Sequence, residues 1–143
     1  MFGQLAVAPV PNAGAQCPNL SGAYVLQGED GQVHISIRQR GCESITIVRK
    51  TGYPDTPMVS ETHALTLDGK TQPDAPWYGE SARQVRTSAK FVRSELVIEA
   101  KAARDLALTV IYSLNSDRDL QEETLIDRRG DSRASPSVAK RQR

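Results

Sequence analysis

A chain of 143 residues suits one domain with one core, and 38% hydrophobic with only 5% aromatic residues argues for a sheet that keeps one face in water. The formal charge of +1 conceals an asymmetry: Arg128, Arg129, Arg133, Lys140, Arg141 and Arg143 against Asp131 put a net +5 on residues 128–143, leaving −4 on the remainder. An acidic body excludes a specific nucleic-acid-binding surface, and no stretch reaches the roughly 18 apolar residues of a membrane-spanning helix.

The chain opens on the short apolar run Leu5-Ala6-Val7-Ala8, with Ala13-Gly14-Ala15 in the small-x-small pattern that precedes a signal-peptidase cut. Pro9 and Pro11 interrupt that run and a basic n-region is missing, so residues 1–16 are expected to be a leader or the remnant of an export signal. Gln16 before Cys17 is not a lipobox. Cys17 and Cys42 are the only cysteines, and an even pair behind an export signal predicts one disulfide in an oxidising compartment; the alternative is two buried thiols.

From there the chain reads as strands. Ala23–Gln27 ends in the Gly28-Glu29-Asp30-Gly31 turn, and Val33, Ile35 and Ile37 alternate with His34, Ser36 and Arg38. Cys42–Arg49 places Ile45 and Ile47 inward, and Thr62–Leu67 is a fourth strand. A long irregular connection, 72–81, carries Trp77 and Tyr78. Val85–Phe91, Leu96–Lys101, Leu106–Leu114 and Leu120–Asp127 then alternate with period two between turn residues, the signature of half-buried antiparallel strands. About eight strands in sequence leave two edges, which closure into a barrel removes. The expectation is an all-β antiparallel meander over 17–127, a lipocalin-like barrel or half-barrel, with 128–143 as a basic disordered tail.

Two resemblances attach to these residues. Asn19-Leu20-Ser21-Gly22-Ala23-Tyr24 resembles the Gly-x-Trp entry of the lipocalin and fatty-acid-binding barrels, with Tyr24 in place of tryptophan. Ala89-Lys90-Phe91, Leu96-Val97-Ile98-Glu99 and Tyr112-Ser113-Leu114-Asn115-Ser116-Asp117 are similar to the hairpins of small uncharacterised secreted β-proteins of bacteria. Phe91 stands where those have tryptophan, and Arg118 where they have a turn glycine. The resemblance implies a barrel and a periplasmic or secreted location, and supplies no catalytic residue.

No motif names a reaction. Gly-x-Ser-x-Gly, a glycine-rich phosphate cradle and metal-ligand spacing are absent, which argues against a catalytic nucleophile, a cofactor and a metal. His34 has outward parity; His63 shares parity with Leu65 and Leu67 and is the one candidate for a barrel-mouth enzyme. Glu99, Glu122 and Glu123 read as solvated strand carboxylates. Arg129-Gly130-Asp131 reads as a chance tripeptide. The leading expectation is a non-catalytic protein binding a small apolar ligand, because the inward Thr87, Ala89 and Ala100 leave space beside Val85, Phe91, Ile98, Val110 and Tyr112. The alternative is an interaction module with a filled core and Trp77-Tyr78 as its contact loop.

Overall fold

The computed structural model describes residues 17–28, 31–52, 54, 57–73, 86–101, 106–128, 131–134 and 137–142. The expected leader, Val85 and the Trp77-Tyr78 loop lie outside the described residues. Eleven strands occur among those described: β1 Gly22–Gln27, β2 Gln32–Arg40, β3 Ser44–Gly52, β4 Val59–Thr66, β5 Gln72–Pro73, β6 Arg86–Val92, β7 Glu95–Lys101, β8 Leu106–Leu114, β9 Leu120–Arg128, β10 Asp131–Ala134 and β11 Ser137–Arg141. Eight of them are the expected ones. Their alternation holds: Ile35 and Ile37 of β2 and Ile45 and Ile47 of β3 are buried, while His34, Ser36 and Arg38 are exposed. Among the described residues no helix is long and apolar enough to cross a membrane.

The strands form one antiparallel meander in the order β4-β3-β2-β1-β11-β9-β8-β7-β6-β5, with β10 pairing β9. It curls into a nearly closed barrel. Its two edges meet through the β4–β5 connection, where the Gly69 N–H donates to the Ala89 carbonyl at 3.0 Å. There the Gln72 side-chain amide donates to the Thr66 carbonyl and accepts from the Thr66 N–H, both at 3.1 Å, as a strand would. Gly69 takes a φ of 78°, open to glycine without strain.

The tail corrects the sequence expectation. Residues 137–141 are not disordered: they form β11, which lies between β1 and β9. Tyr24 and Val25 pair with Arg141 and Lys140 on one side, and Leu120 to Glu122 pair with Ala139 to Ser137 on the other. β10 continues the cover along β9, with Ala134 opposite Leu125 and Asp131 opposite Arg128. Composition misled because this strand needs little apolar surface of its own: Ala139 is its one fully buried side chain. Its order comes instead from backbone ladders on both flanks and from matched polar contacts.

Asp119 and the Arg141 guanidinium supply those contacts. The Asp119 carboxylate accepts from the Arg141 backbone N–H at 2.9 Å and from Lys140 Nζ at 3.2 Å. The Arg141 guanidinium donates to the Arg118 carbonyl at 2.9 Å and to the Tyr24 hydroxyl at 2.8 Å, and sits 5.0 Å from the centre of the Tyr24 ring. Gly22 makes the room, since a Cβ there would lie 2.7 Å from Arg141 Nη1. Arg118, where the similar hairpins have glycine, holds a φ of 65°, a conformation costing a non-glycine residue about 1 kcal/mol.

Residues 17–21 cap the same end of the barrel. Cys17 is disulfide-bonded to Cys42 with Cα atoms 5.6 Å apart, a closure that stabilises by about 3 kcal/mol in the chain-entropy account. Leu20 is fully buried beneath the strands. Gln39 holds it there: its side chain accepts from the Leu20 N–H at 2.8 Å and donates to the Pro18 and Gly41 carbonyls at 2.8 and 2.9 Å.

Two outcomes follow. A chain ending at Ala134 lacks β11 and exposes the edges of β1 and β9 together, so its thermal melt is expected to lose cooperativity; a melting temperature unchanged within a degree or two would contradict this closure. The Arg141 N–H bond, then Lys140, hold the Asp119 carboxyl below its usual range. A lowered folded value lends stability that is fully present above about pH 4 and fades as pH falls through the folded value. Asp119→Asn should therefore melt lower than wild type at neutral pH and converge with it in strong acid. Parallel melting curves across pH would refute the role assigned to the carboxylate.

Candidate functional site

The β6–β7–β8 wall brings together the residues expected to line a pocket. Register sets them in three rows: Thr87, Ala100 and Leu108; Ala89, Ile98 and Val110; Phe91, Leu96 and Tyr112. All are buried except Phe91, which is half-buried against the core. Two alternating strands place their inward side chains on one surface whenever their registers agree, so period two sufficed to find this wall. Across the barrel stand bulkier residues, Tyr24, Ile35, Ile37, Ile45 and Ile47, all buried.

A charged group that parity reasoning passed over crosses the interior. Arg49 continues the inward series of Ile45 and Ile47 on β3 and is buried. Its Nη1 donates to the Glu122 carboxylate and to the Tyr112 hydroxyl, the latter at 3.1 Å. The Tyr112 hydroxyl donates in turn to the same Glu122 oxygen at 2.6 Å. Since β2, β1 and β11 separate β3 from β9 in the sheet, these contacts span the barrel from wall to wall. Burial, reinforced by the Glu122 carboxylate and opposed by Arg49, raises the Tyr112 phenol well above its usual range. Tyr112 therefore remains a donor at any physiological pH.

Glu122 is a correction. It is buried and faces inward, whereas Glu99 is exposed and Glu123 half-buried. Two consecutive glutamates obscure the period, but counting from the buried Leu120 puts Glu122 and Thr124 on the inner face. The same signal marks Arg49. Each charge, on the apolar parity of its strand, is legible by itself; that the two meet is not.

The crossbar divides the interior. Toward the disulfide end lie Leu20, Ile45, Leu65, Leu120 and Ala139, all fully buried. Toward the other end the β6–β7–β8 wall carries its small residues, one and two rows beyond Tyr112. In this second part, Thr87 is fully buried and its hydroxyl has no hydrogen-bond partner among the described residues. An orphaned buried hydroxyl costs about 1–3 kcal/mol.

The other candidates are placed plainly. His63 is fully buried on β4, in register with Ile47, within the wall rather than at a barrel mouth. His34 is exposed on the outer face, in a groove with Ser36, Arg38, Thr46, Val48 and Lys50. Among the described residues no three His, Cys, Asp and Glu side chains are grouped to hold a metal ion.

Solved structures show the same fold. The fluorescent protein UnaG in its wild-type form matches with a TM-score of 0.60 at 14% identity, over 85% of this chain and 96% of that one. One variant of UnaG matches at 0.60 and 14% identity over 86% and 96%, and another at 0.58 and 13% over 85% and 94%. The fold is thus a lipocalin-like barrel. No protein-family model matches the sequence, and no curated protein matches it.

The crossbar makes its own prediction. Removing one partner of a buried ion pair strands the other, at about 3–5 kcal/mol, whereas replacing both with apolar residues is far milder. Arg49→Met and Glu122→Leu should each destabilise strongly, and the double variant should recover most of the loss in urea denaturation. Additive losses would show that the two side chains do not act as a pair.

Proposed function

We propose that the protein binds a small apolar ligand inside the barrel without chemical turnover, in the part between the Tyr112 crossbar and the barrel end farther from the disulfide. The observation that carries this reading is the Thr87 hydroxyl, fully buried beside the small side chains Ala89 and Ala100 and without a hydrogen-bond partner among the described residues. A buried polar atom left unsatisfied in an otherwise apolar wall is costly to keep unless something meets it. The wall is apolar with few polar groups, the composition of a small-molecule site. The Cys17–Cys42 disulfide supports an exported protein working in an oxidising compartment.

A fluorescent polyene lipid analogue is expected to bind one per barrel. Ala89→Trp should fill the space and abolish binding with the melting temperature retained. Thr87→Val should split the two readouts: removing an orphaned hydroxyl leaves the unliganded protein as stable or more so, while a ligand that meets the hydroxyl is bound roughly tenfold more weakly. No binding below about 100 μM, or unfolding of the Trp variant, would mean that the core is already filled.

A further inference from the structure

We infer that the barrel selects an uncharged, hydrogen-bonding ligand and discriminates against carboxylates, because its interior guanidinium is already neutralised by an interior carboxylate. This inference rests on the ligand-binding reading above and names the class of ligand.

Arg49 is a buried cation at mid-barrel, and an interior arginine would ordinarily attract an anionic head group. Here Glu122 occupies that role. Both charged side chains are buried, the carboxylate oxygen accepts from Arg49 and Tyr112 together, and Tyr112 directs its own proton to Glu122. Glu61 adds a second negative charge: it is half-buried, directly opposite Arg49 in register on the inward parity of β4. At the level of the crossbar one guanidinium therefore faces two carboxylates. An entering anion would have to shed its water and approach a region where the described residues leave no surplus positive charge, which burial makes costly.

What the site offers instead is neutral. The Thr87 hydroxyl can donate or accept, and it shares its stretch of wall with the buried Ala89, Ala100 and Leu108. A hydroxyl or carbonyl group satisfies it without bringing a charge. The ligand class is thus an apolar alcohol, aldehyde, ketone or ester of modest size rather than a free acid.

The test uses the full wild-type chain with two probes that differ only in the head group, parinaric acid and the matching parinaryl alcohol, titrated by polyene fluorescence at neutral pH. The alcohol should bind at least tenfold more tightly than the acid. Glu122→Gln, which leaves the Arg49 charge less compensated, should raise affinity for the acid and narrow or invert the ratio while changing the alcohol little. Equal or tighter binding of the acid to the wild-type protein overturns this inference and leaves ligand binding itself standing. Failure of both probes overturns ligand binding, and the inference with it. An unchanged acid-to-alcohol ratio in a folded Glu122→Gln protein removes the crossbar as the source of selectivity. The wild-type comparison tests the preference for a neutral head group, and the variant tests its cause.

Discussion

Two flanks of the sheet, β1 and β9, each present a row of backbone N–H and C=O groups, and β11 satisfies both rows. Unpaired strand edges invite association with other chains, so a meander of this kind is protected only when it closes. The strand that closes it comes from the most polar part of the chain and is fastened by charge. Asp119 sits in the β8–β9 turn and reaches the backbone of Arg141 and the amine of Lys140. The opposite net charges of body and tail are therefore partly a record of docking rather than of a solvated appendage.

Closure also explains the interior. A curled sheet brings β3 opposite β8 and β9, with neither of which it pairs, and only then can Arg49 meet Glu122 and Tyr112. Buried ion pairs of this kind add little net stability, because desolvating two charges offsets most of their attraction. Their effect is positional. The pair holds two walls in one relation and divides a bulky lower core, capped by Leu20 and the disulfide, from the small-residue wall above. The same neutralised pair that orders the barrel lies beside the proposed ligand space, and the selectivity proposed above rests on it.

Relations set by local period and turn chemistry are legible in the chain itself. Alternation gave eight strands and the inward faces of β2, β3 and β6 to β8, and with them the inner wall from Thr87 to Tyr112. The even cysteine pair was enough to anticipate its bridge. Those features are legible because a strand's two faces are written in neighbouring residues. Tertiary pairing alone makes residues 137–141 a strand, because Ala139, the single fully buried side chain there, gives composition nothing to detect, and the order comes from partners far away in the chain. Likewise the tertiary structure decided that Arg49 and Glu122 are joined: their separation of 73 residues leaves no local trace, and a buried charge is tolerable only where folding delivers its opposite.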